Sequence, residues 1–218
     1  MPYTHGKSII KIAFADDDLT LQDLLPAYID NLENCKVVIQ ASNGKDLLEK
    51  LNRKPDIDLV IMDIKMPEMN GIEAAKRIKK DFPEIKILFS SIFGNELVYC
   101  MLAGIGADGF IRKGASVAEL RKGIFELMKT GAYYPGFPVS LRKRLNGHKK
   151  VKKNSLVSDE EIAFLKLICT DLTYTAIAAE MKTSIRHIDY IRQGLFEKFE
   201  VHNRVELALF AYDGGICD

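Results

Sequence analysis

The sequence predicts an α/β protein: a five-stranded parallel sheet, doubly wound by helices, followed by a small all-α unit of four helices. Three observations carry this. Over residues 1–130, short apolar runs alternate with segments of helical periodicity, five times in regular order. Those runs are almost wholly apolar, as strands covered on both faces must be. From Val157 onward the alternation stops and only helical spacing continues.

The first strand is Ser8–Ala15, and Leu19, Leu21, Leu24, Leu25, Ile29 and Leu32 then recur at helical spacing. "CKVVIQA" is the second strand and "GKDLLEKLNRK" its helix. "LVIM" is the third, followed by "GIEAAKRIKKDF". "IKILFSS" is the fourth, followed by "NELVYCMLAGIGA". "GFI" is a short fifth, and "SVAELRKGIFELMK" closes the unit. Right-handed crossovers between parallel strands leave few ways to arrange these pieces. Residues 131–156 break the pattern with three glycines, two prolines and the basic run "HKKVKK", and read as a linker between domains at 1–130 and 157–218. The last domain opens on Ser158 with Glu161 three residues on, the signature of a capping box. Ile162, Leu165 and Ile168 line one face of its first helix. A short helix from about Thr175 follows. A longer third helix turns Ile185, Ile188, Ile191, Leu195 and Phe199 inward, and "NRVELALFAY" is the fourth.

Composition excludes several classes. Hydrophobic residues are 47% and charged residues 28%, an ordinary globular balance. No apolar run approaches the roughly 20 residues of a membrane span, and the N-terminus lacks the apolar stretch of a signal peptide. The expectation is a cytoplasmic protein without a membrane partner. Four cysteines, Cys35, Cys100, Cys169 and Cys217, lie far apart with no CxxC pair. That argues against a zinc site or a disulfide framework and suits a reducing compartment. The net charge of +1 is unevenly spread: −1 over residues 1–130, +7 over 131–157 and −5 over 158–218.

In open α/β sheets, ligands sit beyond the carboxyl ends of the strands, where strand order reverses. Strand one ends at Asp16 and Asp17, strand three at Asp63, strand four at Ser90, and strand five runs into Arg112 and Lys113. Three close carboxylates repel one another unless a cation joins them. Hard oxygen ligands with open positions suit Mg²⁺, which keeps several waters and binds phosphate. Asp63 can then attack phosphorus as a nucleophile, with Lys113 and Ser90 contacting the phosphate. Taken singly, Asp63 reads equally as a helix N-cap and the "DDD" run as a capped turn. Their joint placement at successive strand ends is harder to explain as capping.

These residues carry a resemblance. "IAFADDD", "DLVIMDIKMPEMNGIEAAKRI", "ILFSS" and "GADGFIRK" are similar to a response-regulator receiver domain, which implies a flavodoxin-like fold. The resemblance implies that Asp63 accepts phosphate from a sensor histidine kinase or a small phosphodonor. It implies that Asp17, Asp63 and the Lys65 carbonyl ligate Mg²⁺, with Asp16 assisting through water. Ser90 and Phe110 match the switch positions, and Lys113 the lysine of the motif. Gly114 stands where the family has a proline, often in a cis bond. Lys65, two residues past the phosphoacceptor, puts a cation where it can screen the phosphate from water. A comparison of dephosphorylation with Lys65→Asn tests that effect.

Val157–Tyr212 resembles the four-helix DNA-binding domain of the LuxR/FixJ type, whose third helix enters the major groove and whose fourth often dimerises. On that third helix Arg186, Tyr190, Arg192 and Gln193 are candidates for DNA contact, with Lys198 near its end. A solvated helix face is the competing reading. His187, Ile188 and Asp189 replace the family's threonine, valine and basic residue, and Asp189 has Arg186 and Arg192 within reach as partners. The expected function is a transcription regulator, not an enzyme, that dimerises and binds DNA when Asp63 is phosphorylated. The alternative is a phosphorylation-switched module whose helical domain docks another protein.

Overall fold

The computed structural model describes residues 9–53, 56–92, 96–136, 157–213 and 216–217. The basic run at 148–153 therefore lies outside the described residues. The chain forms two compact units, residues 1–92 with 105–135, and residues 93–104 with 136–218.

The first unit holds a five-stranded, all-parallel sheet in the order β2-β1-β3-β4-β5. Its strands are β1 (Ile10–Ala15), β2 (Cys35–Ala41), β3 (Leu59–Met62), β4 (Lys86–Ser91) and β5 (Gly109–Arg112). The helices of this unit are α1 (Leu19–Asp30), α2 (Gly44–Arg53), α3 (Gly71–Asp81) and α5 (Val117–Thr130). All four residues of β3 are fully buried, as the central strand of a sheet covered on both sides requires. Helix starts are set by side-chain caps: Asp18 accepts from the Thr20 and Leu21 amides, Asn70 from Glu73, and Ser116 from Glu119. Gly131 ends α5 in a left-handed conformation with φ 85°.

The cap assignments bear directly on the pocket. The cap before α1 is Asp18, and the cap before α3 is Asn70. Capping therefore does not explain Asp63, nor Asp16 and Asp17.

The chain does not leave this unit at residue 131, where the sequence reading begins the linker. Tyr133 lies against the free edge of β5 in a parallel bridge with Gly109. The Phe110 amide donates to the Tyr133 carbonyl at 2.8 Å, and the Tyr133 amide to the Asp108 carbonyl at 2.9 Å. Two glycines make the slot: a Cβ on Gly109 would meet the Tyr133 carbonyl oxygen at 2.8 Å, and one on Gly123 the Tyr133 ring at 3.0 Å. The next residue, Tyr134, donates its hydroxyl to the Ala107 carbonyl at 2.6 Å.

The second unit contains α4 (Glu96–Gly104), α6 (Asp159–Ile168), α7 (Tyr174–Glu180), α8 (Ile185–Phe199) and α9 (Arg204–Asp213). The capping box is present: the Glu161 amide donates to Ser158 Oγ at 3.1 Å, and the Ser158 amide to Glu161 Oε2 at 2.7 Å. Thr173 caps α7, so that helix starts at Tyr174. Phe164, Leu165, Ile168, Ile177, Ile188, Leu195 and Leu207 are buried. Ile185 departs from the expected inner face and is 43% exposed. It is the first residue after the Ser184 cap, at the open end of α8.

The cysteines also depart from expectation. Cys169, which ends α6, is bonded to Cys217, 48 residues away, with Cα atoms 6.4 Å apart. Spacing along the chain hides this pair because only the return of the C-terminal segment past α9 brings it together. Cys35 and Cys100 are buried and lie outside any disulfide.

Candidate functional site

The site lies at the carboxyl ends of β1 and β3, the strands that flank the reversal of strand order. β1 hands the chain to Asp16 and Asp17, and β3 to Asp63. The Asp63 amide donates to the Ala15 carbonyl at 3.0 Å, so the two acidic turns are held side by side. Oxygens of Asp16, Asp17 and Asp63 lie within 4.8 Å of one another. Asp16 is 1% exposed and Asp63 6%, whereas Asp17 faces solvent.

Lys113, just past β5, closes the group. Its Nζ is 2.6 Å from Asp63 Oδ2 and 2.9 Å from Asp16 Oδ2. The Lys113 amide donates to the Ser91 carbonyl, which fixes where this side chain starts. Burial pushes the Asp16 carboxyl up, and Asp63 adds to that, although the Asp18 amide and Lys113 oppose it. Burial works against the Lys113 ammonium, but hydrogen bonds and charge from Asp63 and Asp16 outweigh it and raise its pKa. Gly114 has φ 83°, a left-handed value that suits glycine, and the described residues contain no cis peptide. The loop beside Lys113 thus turns without the cis-proline of the related pattern.

The remaining sheet-end residues follow by register. Met62 pairs with Phe89, so Asp63 and Ser90 stand one residue beyond that pair on neighbouring strands. Ser90 is buried at 7% exposure, and Phe110 on β5 at 2%.

The loop after Asp63 is braced by Gly71, which the sequence marks as shaping this loop, and by Gly44 and Asn43, which it does not. The Ile64 amide donates to Asp63 Oδ1 at 2.6 Å. The Gly71 amide donates to the Ile64 carbonyl and the Gly44 amide to the Met69 carbonyl, at 2.8 and 2.9 Å. Asn43 Nδ2 reaches Glu68 Oε1 at 3.4 Å. Gly71 has no alternative: a Cβ there would lie 2.0 Å from the Asp63 carbonyl oxygen. Lys65 is half-buried within this loop.

Three oxygen donors, one of them open to solvent, form a donor set that fits a hard divalent cation such as Mg²⁺. With Lys113 beside them they can receive a phosphoryl group.

The second candidate surface is on α8. Arg186, Tyr190 and Gln193 face outward along one side, and Tyr190 is 75% exposed. Arg192 and Lys198 do not join them. Arg192 pairs with Asp189 at 3.1 Å and stacks its guanidinium 4.7 Å from the centre of the Tyr174 ring. Lys198 Nζ lies 2.5 Å from Oε1 of Glu161, the capping-box residue of α6. His187, which replaces the family's threonine, is 2.8 Å from Glu160 and stacks near Tyr190. So Asp189 takes the Arg192 partner, and two of the three cations that the sequence assigns to DNA, Arg192 and Lys198, are engaged within the unit.

Residues 12–125 match the response regulator receiver domain family, and residues 155–211 the luxR family of bacterial regulatory proteins. The chain is 28% identical over 206 residues to the response regulator protein VraR of Staphylococcus epidermidis, covering 93% of this chain and 96% of that one. It is 28% identical over 214 residues to the response regulator GacA of Pseudomonas syringae pv. syringae, covering 96% and 99%. Its fold is similar to that of RcsB from Salmonella enterica serovar Typhimurium, bound to promoter rprA in the presence of the phosphomimetic BeF3-. That similarity has a TM-score of 0.64 at 22% identity and covers 93% of this chain and 98% of that one.

Proposed function

The chain belongs to the response-regulator family, with a receiver domain and a luxR-type helix-turn-helix domain, and from that premise we propose that phosphorylation of Asp63 controls its binding to DNA. The observation that carries this is the convergence of Asp16, Asp17, Asp63 and Lys113 at one sheet edge. Asp17, Asp63 and the Lys65 carbonyl would hold Mg²⁺, with Asp16 assisting through water, and the ion would supply charge neutralisation for an incoming phosphoryl group. The chain's own part is positioning. Asp63 Oδ1 is held by the Ile64 amide and Oδ2 by Lys113, so the carboxylate is oriented before a donor arrives. Attack by a carboxylate oxygen forms an O–P bond as the bond from phosphorus to the donor breaks. That donor is a sensor kinase phosphohistidine or a small acyl phosphate.

The product carries roughly −1.5 to −2 charge, as phosphorylated side chains do at neutral pH, where a single negative charge stood. Lys113 pairs with it, and the Ser90 hydroxyl donates to one of its oxygens. Movement of Ser90 opens room for Phe110 to turn, a two-state element biased by charge. Ser90→Ala is expected to accept phosphate and yet respond poorly. An unchanged response would place the coupling elsewhere.

The output is DNA binding through α8, where Arg186, Tyr190 and Gln193 are at spacings suited to a groove. Homodimerisation is supported by α9: Val205, Leu209 and Tyr212 form one stripe, each more than half exposed. A second copy would cover it. The solved RcsB complex supports the DNA reading by analogy of fold alone. The protein then acts in the cytoplasm as a regulator, not as an enzyme.

One observation favours the alternative of a protein-docking domain. The last domain carries a net charge of −5, and Arg192 and Lys198 are occupied internally. Selection of genomic DNA with and without a phosphodonor separates the two. Enrichment of a palindromic site only with donor supports DNA control. Failure to retain any DNA at low salt points to a protein partner.

A further inference from the structure

The function above makes no use of the sulfur pair in the helical unit. Cys169 stands at the end of α6, half-buried, and Cys217 lies four residues past the end of α9, buried at 7% exposure. The chain returns to this point through the Ile216 amide, which donates to the Ala211 carbonyl at 3.0 Å. Both sulfurs also lie near the Leu165 carbonyl, at 3.3 Å from Cys169 and 3.5 Å from Cys217. The segment after α9 is thus folded onto α6, and the Cα separation of 6.4 Å is within the range a disulfide spans without moving the backbone. The other two cysteines, Cys35 and Cys100, are buried and not disulfide-bonded.

We propose that Cys169 and Cys217 are a reversible oxidation site, a dithiol in a reducing compartment that a hydroperoxide converts to the disulfide. Cys169 is the more exposed residue of the pair and the one a small oxidant reaches first. Arg204 donates to the Ile168 and Thr170 carbonyls on either side of Cys169, which places a fixed cation in the turn that carries the attacking sulfur. Attack of the Cys169 sulfur on hydrogen peroxide breaks the O–O bond, leaving a sulfenic acid and releasing one water once the proton is shared out. Cys217 then attacks that sulfur. An S–S bond forms, the S–O bond breaks, and the oxygen leaves as a second water. Two thiols lose two electrons, and the peroxide gains them.

The bond closes a loop that contains α7, α8 and α9. It therefore restricts the unfolded state of the whole helical unit and ties the segment after α9 to α6. The end of α9, which carries Tyr212 of the exposed apolar stripe, is held in the same stroke. This chemistry does not depend on Asp63 or on DNA, so it stands or falls apart from the proposed function.

The test uses the full chain, reduced with a phosphine and then exposed to hydrogen peroxide or left untreated. Peptide mapping by mass spectrometry is expected to find the Cys169 and Cys217 peptides joined after peroxide and separate before it. The melting transition of the helical unit should rise by roughly 15–30 °C on oxidation, as closure of a loop of 48 residues implies for a small domain. Cys217→Ser should melt like the reduced wild type and show no rise with peroxide. Complete alkylation of both cysteines after peroxide would overturn the proposal. A bond to Cys35 or Cys100 instead, or an equal rise in Cys217→Ser, would do so as well.

Discussion

The acidic pocket and helix α8 use charge in opposite ways. At the sheet edge, Asp16 and Asp63 are buried and Lys113 is half-buried, and topology brings them together from three strand ends. Their side chains have little freedom to face elsewhere, because each follows directly on a paired strand. On α8, by contrast, charged residues at favourable spacing are divided between two tasks. Arg192 and Lys198 hold the unit together, and Arg186, Tyr190 and Gln193 face outward. A sheet end assigns a side chain its neighbourhood through strand order. A helix face assigns only a direction, and nearby aromatic or acidic groups decide whether the side chain is captured.

The largest expected effect is in the bracing of the pocket. Gly71→Ala puts a methyl against the Asp63 carbonyl, a backbone atom with nowhere to move. It should cost the receiver unit about 3 kcal/mol in denaturant unfolding, while the helical unit is unaffected. An equal loss in both units would mean that they are not independent in this respect.

Next comes the charge balance. Lys113→Ala removes the cation between Asp63 and Asp16 and should lower metal-free stability by about 2 kcal/mol. Added Mg²⁺ should recover much of that loss, because a divalent cation replaces the missing charge. No recovery would count against the carboxylates as a metal site.

On α8 the contrast becomes a pair of variants. Arg186→Ala should weaken specific DNA binding by about 1–3 kcal/mol and leave the melting temperature alone. Arg192→Ala should instead destabilise the helical unit by about 1 kcal/mol, through loss of its ring contact and its pair with Asp189. Reversed results would mean that Arg192 leaves Tyr174 to meet DNA.

The smallest effect is a slope in alkaline stability. Burial, helped by Asp108, pushes the Tyr134 hydroxyl up. In the unfolded chain it ionises near pH 10, about the ordinary tyrosine value. The folded state keeps the proton longer, so this contribution is complete below that pH and is lost as pH rises through the folded value. Tyr134→Phe should lack that part of the alkaline decline, measured as unfolding free energy against pH.

The strands, their parallel order and the pocket residues were legible because apolar runs and their terminal carboxylates are local features. The capping box at Ser158 and Glu161 was legible for the same reason. Three things were not. Tyr133 sits in a slot made by two glycines on different elements, and no spacing rule links them. The Cys169–Cys217 pair depends on a return of the chain past α9. The capture of Arg192 by Tyr174 depends on how two helices pack, which periodicity leaves open. Asp189 was legible only as a choice between two arginine partners.

The most direct measurement is the intact mass of the folded chain after incubation with acetyl phosphate and Mg²⁺, followed by peptide mapping. Addition of one phosphoryl group, placed on Asp63 and absent from Asp63→Asn, is the predicted result. A chain that gains no mass, or gains it at another residue, would contradict the assignment of this sheet edge as a phosphoacceptor site.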